Sequence, residues 1–194
     1  MRPYTRRGDD GTTGLYGVGR VPKTSAVIEV LGSVDEAQAA IGVARAEAGR
    51  GGELDVLLLE LERELWVLMA EVASAPERRR DLVAGSTKVD ETMVAALERR
   101  IDAACERLDL ERGFAVPGGT RLSATLDLAR AVVRRAERAA AGLDLASSSV
   151  VPYLNRLSDL CWALARSAEG EHLRMDDLAN KPPAIPAGEE RSQP

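Results

Sequence analysis

Apolar residues recur every three or four positions in five separate stretches of this chain. The second stretch is the clearest, because Leu58, Leu61, Leu65 and Leu68 fall on one side of a helix. The same spacing predicts helices over about residues 26–48, 53–74, 89–108, 120–142 and 149–168. No stretch alternates apolar and polar residues over a useful strand length. Narrow, regular stripes are typical of helical bundles, so the sequence predicts an all-α, five-helix bundle.

Composition limits the classes of protein that this chain can belong to. The 194 residues fit one domain, and with 45% hydrophobic but only 3% aromatic residues the core must be aliphatic. A net charge of -5 gives no sign of a nucleic-acid partner. No apolar run approaches the ~20 residues of a membrane span, and the first residues lack the apolar segment of a signal peptide. We therefore expect a cytoplasmic protein whose cysteines, Cys105 and Cys161, are reduced core thiols.

Turn-forming and polar segments divide the chain into an arm, a bundle and a tail. Residues 1–25 are interrupted by glycines and are predicted to be a flexible loop, followed by the bundle over residues 26–169. Residues 75–88 are polar and are predicted to be a mobile loop, and residues 113–119 form a link rich in Gly and Pro. Residues 170–194 are Pro-rich and polar, so we expect a disordered tail; the single histidine, His172, lies there and is assigned no role.

The arm has the composition of an anion-binding loop. Residues 5–14 read TRRGDDGTTG, and Arg20 and Lys23 follow. Glycine lets backbone N–H groups approach a phosphate, and threonine hydroxyls add donors. The P-loop pattern fails, because residues 14–21 read GLYGVGRV and lack the lysine and the hydroxyl. This loop alone is compatible with two interpretations: a polyphosphate-binding loop and an ordinary solvated arm.

A second candidate lies on the fourth predicted helix. Arg130, Arg134, Glu137 and Arg138 share one helical face, which could grip a triphosphate and its Mg²⁺ or could be a solvated face of Arg–Glu pairs.

Three further residues are each compatible with a functional role and with an ordinary structural one. Asn155 is a poor residue for a helix interior, so it either forms a specific hydrogen bond or is simply exposed. Phe114, the only phenylalanine, either contacts a ligand or plugs the end of the bundle. Asp35 is either solvated or paired with an arginine of another helix.

The order and spacing of these features resemble one enzyme family. The chain reads YTRRGDDGTTGL, RVPK, GSVDEAQAAIG, FAVPGG, LARAVVRRAER and YLNRLSDLCWALAR between about residues 4 and 168. These blocks resemble those of PduO-type ATP:cob(I)alamin adenosyltransferases. The resemblance implies a ferritin-like five-helix bundle that forms a homotrimer, with active sites between subunits. It also implies transfer of the 5′-deoxyadenosyl group of ATP to cob(I)alamin, giving adenosylcobalamin and triphosphate.

The resemblance implies roles for individual residues. ATP would be bound by a set drawn from the arm and from the fourth and fifth helices: Thr5, Arg6, Arg7, Gly8, Thr13, Gly14, Lys23, Arg134, Arg135, Ala136, Glu137, Arg138 and Asn155. Mg²⁺ would sit at Glu137. Phe114 would line the corrinoid pocket below the cobalt, and Asp35 and Arg130 would form an ion pair that shapes it. Arg134, Asp35 and Arg130 are the residues expected to serve catalysis.

Some positions depart from the family pattern. Thr24, Ser25 and Ala26 stand where acidic residues and an arginine are common, Gln38 stands where asparagine is common, and Asp127 stands where histidine is often found. None of these residues is assigned to the chemistry. The resemblance further implies two protein partners: a reductase, and an adenosylcobalamin-dependent enzyme such as a mutase. The rival reading from another class is a non-catalytic helical adaptor or corrinoid carrier.

Overall fold

A computed structural model describes residues 4–106, 108, 114–145, 147–170 and 173–176 of the protein. It is mostly helical. The α-helices are α1 (Ala26–Glu47), α2 (Glu53–Val72), α3 (Glu91–Cys105), α4 (Arg121–Ala141) and α5 (Val150–Glu169). The other elements are the strands β1 (Thr12–Leu15) and β2 (Gly19–Pro22) and a 3₁₀ helix, Pro76–Asp81. The five predicted helices are confirmed, with ends close to the predicted ones.

Local capping decides where two of the helices begin. The Asp90 carboxylate accepts the backbone N–H of Met93 at 2.9 Å, so α3 begins after it. Thr120 and Ser123 form a capping box at the start of α4, each side chain bonding the other's backbone N–H at 3.0 Å. The first turn of α4 is thereby held in place directly after the Gly/Pro link.

The core is aliphatic, as the composition predicted. α4 packs against both α1 and α5, while α2 covers α1 and α3 covers α5. Among the described residues, the buried aromatic side chain is Tyr153, whose hydroxyl donates to Glu64 Oε2 at 2.7 Å. Burial raises the pKa of Tyr153 well above its ordinary value. The hydroxyl therefore stays protonated and joins α5 to α2.

The N-terminal arm contains a β-hairpin, so the prediction of an arm without regular structure was wrong. β1 and β2 pair antiparallel, with Thr13 opposite Val21 and Gly14 opposite Arg20. Gly17 and Gly19 have φ angles of 75° and 97°, which other residues rarely adopt. Gly17, one of the glycines that were interpreted as breaking regular structure, therefore lies in the turn of this hairpin, while Gly14 and Gly19 lie in its strands.

The segment between α2 and α3 contains regular structure. Its 3₁₀ helix, Pro76–Asp81, places the Arg78 guanidinium 5.8 Å from the centre of the Tyr16 ring at the hairpin tip. The Arg79 Nη1 atom donates to the Asp144 carbonyl at 2.9 Å. This short helix therefore lies between the hairpin and the connection from α4 to α5.

A piece of the predicted tail pairs with the Gly/Pro link. Ala115 and Arg174 form an antiparallel bridge, in which Val116 N–H donates to the Leu173 carbonyl at 2.8 Å and Met175 N–H to the Phe114 carbonyl at 2.9 Å. The prediction of a disordered tail falls otherwise on residues outside the described part of the chain, including His172. None of the helices in the described ranges is long and apolar enough to cross a membrane.

Candidate active site

The C-terminal half of α4 presents unpaired arginines. Arg134 and Arg138 are exposed, and neither forms a salt bridge with any described residue. The two residues are four positions apart and so share one helical face, and the Arg138 Nη1 atom donates to the Arg134 carbonyl at 3.0 Å. Two guanidinium groups without an acidic partner among the described residues form a site for an anion such as a phosphate chain.

The residues between these arginines face other directions. Arg135 forms an ion pair with Glu36, so it ties α4 to α1. Ala136 is 0% exposed and belongs to the core. Its side chain therefore packs inside the bundle. Only part of the run from 134 to 138 lies on the open face.

Glu137 and Asn155 meet beside the exposed arginines. Asn155 Nδ2 donates to Glu137 Oε1 at 2.9 Å, which joins α5 to α4. The Asn155 Oδ1 atom accepts from Arg156 Nη1 at 2.5 Å, and Arg156 Nε donates to Glu98 Oε1 at 3.0 Å. Arg156 thereby fixes which face of the Asn155 amide points at Glu137. The sequence singled out Asn155 but did not identify the arginine that orients it.

The chemistry of this site fits a magnesium ion brought by a nucleotide. Mg²⁺ favours one or two carboxylates together with phosphate oxygens and water. Glu137 supplies one half-buried carboxylate next to the anion site. Within the described ranges no group of three or more potential metal ligands occurs.

The hairpin is organised around Arg20. Its guanidinium contacts the Arg7 carbonyl and Thr12 Oγ1 and lies 3.1 Å from Asp10 Oδ1. The hydrogen bonds of Thr12, its hydroxyl first, lower the pKa of Asp10, with Arg20 adding to the effect. The backbone N–H of Lys23 donates to the Gly11 carbonyl at 2.9 Å, which closes the loop before β1.

The predicted ATP-binding residues of the arm lie around this loop. Thr5, Arg6, Arg7 and Lys23 are exposed. Gly8 lies so close to the Lys23 ammonium group that an added Cβ would be 3.2 Å from Nζ. Thr13 and Gly14 lie in β1. The structure thus brings Lys23 to the glycine loop, as an anion site requires. No described hydrogen bond or ion pair links this loop to Arg134 or Arg138 of the same chain.

No described hydrogen bond or ion pair joins the three residues predicted for the corrinoid pocket within one chain. Phe114 is 84% exposed. Arg130 Nε lies 3.3 Å from Asp127 Oδ1 on its own helix. Asp35 is exposed at an apolar groove between α1 and α2, where Trp66 is also exposed, and has no salt bridge to another described residue. The expected Asp35–Arg130 pair is therefore not formed within the chain.

A buried ion network behind Arg130 was missed by the sequence reasoning. Arg166 Nη2 lies 2.5 Å from Asp127 Oδ2, and Arg166 Nη1 lies 3.0 Å from Glu169 Oε2. The side chains of Arg166 and Glu169 are each 1% exposed. The available signal was the spacing of three or four between Ser123, Asp127 and Arg130, which places polar residues along one side of α4.

The comparisons with known proteins identify the family of this chain. A family model described as Cobalamin adenosyltransferase matches residues 3–168. The chain belongs to the cobalamin adenosyltransferase family. A corrinoid adenosyltransferase of Bacillus subtilis (strain 168) is 38% identical over 172 residues, which cover 86% of each chain. One from Mycobacterium tuberculosis (strain ATCC 25618 / H37Rv) is 40% identical over 176 residues, covering 86% of this chain and 88% of the relative.

Solved structures of the family share the fold. A variant PduO-type ATP:corrinoid adenosyltransferase from Lactobacillus reuteri, complexed with cobalamin and ATP, superposes with a TM-score of 0.76. It is 29% identical, and the match covers 87% of this chain and 91% of that one. A second variant of the Lactobacillus reuteri enzyme, complexed with ATP, has a TM-score of 0.77 at 27% identity and covers 88% of this chain and 98% of that one.

Proposed function

We propose that this chain transfers the 5′-deoxyadenosyl group of ATP to the cobalt of a reduced corrinoid, giving adenosylcobalamin and triphosphate. The observation that carries the proposal is the open arginine face of α4, with Arg134 and Arg138 next to the Glu137–Asn155 pair. Family membership supplies the reaction, and this face supplies a place for its charged leaving group.

Cobalt in the +1 state is the nucleophile, so the protein needs no nucleophile of its own. Cob(I)alamin attacks the 5′ carbon of ATP, and the bond from that carbon to the triphosphate oxygen breaks. Arg134, Arg138 and Lys23 stabilise the negative charge that collects on the departing triphosphate. Asn155, oriented by Arg156, contacts the nucleotide, and Glu137 would hold an Mg²⁺ ion brought by the nucleotide, which would neutralise phosphate charge.

We place the complete site between subunits of a homotrimer. The hairpin loop with Thr5, Arg6, Arg7 and Gly8 carries one set of nucleotide contacts, and the arginine face of α4 carries the other. No described bond joins the two sets within one chain, so a neighbouring subunit is the simplest way to bring them to one ATP. The same arrangement would give Asp35 of one chain access to Arg130 of the next.

Phe114 belongs on the corrinoid side of this site. An exposed aromatic ring at the end of the bundle can cover the lower face of the cobalt and exclude its axial ligand and water. Loss of that ligand makes the cob(II) form easier to reduce. Correct alignment of cobalt and the 5′ carbon adds on the order of 7–11 kcal/mol of barrier lowering.

We place the enzyme in the cytoplasm, where a separate reductase supplies the electron to cobalt. The product then passes to an adenosylcobalamin-dependent enzyme such as a mutase. Both cysteines, Cys105 and Cys161, are free thiols, which fits a reducing compartment.

One spectrophotometric assay tests the proposed function. The protein is mixed with ATP, Mg²⁺ and chemically reduced cobalamin, and we expect the absorption spectrum of adenosylcobalamin to develop together with stoichiometric triphosphate. A helical adaptor or corrinoid carrier would bind cobalamin without this change. Release of ADP and phosphate in place of triphosphate would identify a different nucleotide reaction and contradict the proposal.

A further inference from the structure

The buried charges between α4 and α5 form one continuous network. Arg130 contacts Asp127, Asp127 contacts Arg166, and Arg166 contacts Glu169, through distances of 3.3, 2.5 and 3.0 Å. Arg130 is the member nearest to solvent, since its side chain is 33% exposed while that of Asp127 is 7% exposed. The network holds two positive and two negative groups, so their formal charges balance.

The other end of the network holds the Gly/Pro link. Glu169 Oε1 accepts the Gly119 backbone N–H at 2.7 Å and the Ser123 hydroxyl at 3.1 Å. The contact is so close that a Cβ atom added to Gly119 would overlap Glu169 Oε1. Because Glu169 is buried and tied to Arg166, it cannot swing away freely. Glycine is therefore required at 119 for the link to dock on this carboxylate.

The residues after α5 hold the beginning of the same link. Phe114 and Val116 exchange backbone hydrogen bonds with Met175 and Leu173. Residues 114–119 are thus fixed at both ends by the C-terminal end of α5 and the segment that follows it. The Phe114 ring remains 84% exposed, so its position is set by its backbone and not by burial of the ring.

We infer that Asp127, Arg166 and Glu169 act as a positioning relay, which sets Arg130 and the Phe114 link in a fixed relation to each other. A buried ion network often stabilises a fold no more than apolar side chains of the same volume. Its particular property is geometric, because each charge accepts only a partner in the right place. The relay therefore governs corrinoid binding and leaves ATP binding, at the other end of α4, largely unaffected.

This inference rests on the proposed function, because Arg130 and Phe114 matter to a corrinoid only if the chain binds one. The first test variant is Glu169→Gln, which keeps the shape but removes the charge that faces Arg166 and Gly119. The matched control is Glu71→Gln. Glu71 is also a buried carboxylate, 1% exposed, and it accepts a backbone N–H, that of Val89, at the same distance of 2.7 Å.

Steady-state kinetics separate positioning from general stability. We expect Glu169→Gln to raise the KM for the corrinoid about tenfold with little change in the KM for ATP, because small misplacements of binding groups are costly. The spectrum of bound cob(II)alamin should also show a smaller fraction without its lower axial ligand. Glu71→Gln should change neither the corrinoid KM nor the fraction of bound cob(II)alamin without its lower axial ligand. This should hold even if its melting temperature falls as far as that of Glu169→Gln.

A loop variant keeps the inference testable if Glu169→Gln does not fold. Gly119→Ala forces only the link and Glu169 apart, and we expect the same rise in the corrinoid KM. In the double variant Glu169→Gln with Phe114→Ala, the two effects should be less than additive, because the relay acts through the position of Phe114.

The outcomes distinguish the two proposals. If the unaltered enzyme forms no adenosylcobalamin, the proposed function fails and the relay fails with it. If the enzyme is active and Phe114→Ala raises the corrinoid KM, but Glu169→Gln and Gly119→Ala behave like Glu71→Gln, the relay alone is overturned. Full additivity of Glu169→Gln and Phe114→Ala would also overturn it.

Discussion

The two halves of α4 carry similar residues but use them in opposite ways. In the N-terminal half Asp127 and Arg130 belong to a closed network, in which Asp127 is 6% exposed. In the C-terminal half Arg134 and Arg138 are exposed and have no acidic partner among the described residues. An arginine whose charge is balanced inside the chain organises the protein, whereas one left unbalanced at the surface is available for a ligand.

The core beside the closed half should be nearly inaccessible to thiol chemistry. Cys161 of α5 lies close to Arg130 and Asp127, and burial raises the pKa of its thiol to about 12. At pH 8 its thiolate fraction is then about one part in 10⁴, roughly three orders of magnitude below that of a free cysteine. We expect reaction with a thiol reagent at pH 8 to follow unfolding of the protein. Mass spectrometry of the labelled peptides, with the half-buried Cys105 as reference, measures this; equal labelling would show that the region is open.

Removing the central charge of the closed network should cost the most stability. Arg166→Ala removes the α5 cation that contacts both Asp127 and Glu169, and we expect a loss of about 3–5 kcal/mol in the free energy of unfolding. Arg121→Ala is the control, since Arg121 has a side chain that is 88% exposed and its ion pair with Glu47 is 3.5 Å long. That variant should lose less than about 1 kcal/mol. Similar denaturant midpoints for Arg166→Ala and Arg121→Ala would contradict the expected difference in stability between buried and exposed ion pairs.

Removing a charge of the open half should affect ATP and not stability. We expect Arg134→Ala to lower kcat/KM for ATP about 10²–10³-fold, because one stabilising donor of the leaving group is gone. Its melting temperature should stay close to that of the unaltered protein. Arg99→Ala removes an exposed arginine of α3 and serves as the control. Unchanged kinetic constants for Arg134→Ala would remove this residue from the site.

Phe114 tests whether the link belongs to the corrinoid side. Phe114→Ala should slow adenosylation that starts from cob(II)alamin about tenfold or more, while the KM for ATP changes little. Because the ring is 84% exposed, the fold should lose little stability. Parallel assays with cob(II)alamin and with chemically reduced cob(I)alamin measure the effect on each. Equal losses for both corrinoid states and for ATP would exclude a role in displacing the axial ligand.

The smallest expected effect concerns the helix cap at the start of the closed half. Thr120→Ala removes the side chain that accepts the Ser123 N–H, and we expect a loss of about 1 kcal/mol. Thr120→Ser keeps the hydroxyl and should therefore retain most of the stability that Thr120→Ala loses. Thermal unfolding of the two variants gives the comparison. A loss for Thr120→Ser equal to that for Thr120→Ala would show that the cap contributes little.

The sequence reached the candidate site by two different routes. Helical spacing alone placed Arg134 and Arg138 on one face, and the structure confirms that both are exposed on α4. The resemblance to a family then proposed roles for Phe114, Asp35 and Arg130, which no local pattern distinguishes from ordinary surface residues. The sequence did not show that Arg130 pairs with Asp127 inside the chain. It therefore could not show whether Arg130 is also available to Asp35.

The hairpin was missed for a physical reason. Its strands are only four residues long and contain glycines, so they show no alternation of apolar and polar side chains. Its order comes from backbone pairing and from the hydrogen bonds of Arg20, which connect residues that are 8–13 positions apart. Propensity and periodicity do not register such contacts.

By itself, the sequence determined the five helices and the aliphatic core, because a helix repeats every 3.6 residues and its apolar stripe is visible in any short window. Only the tertiary structure decided which charges are satisfied. Arg166 and Asp127 are 39 residues apart, and their contact depends on how α5 packs against α4. Since periodicity says which side of a helix is buried but not which residue it meets there, the division of α4 into a closed and an open half became visible only in the folded chain.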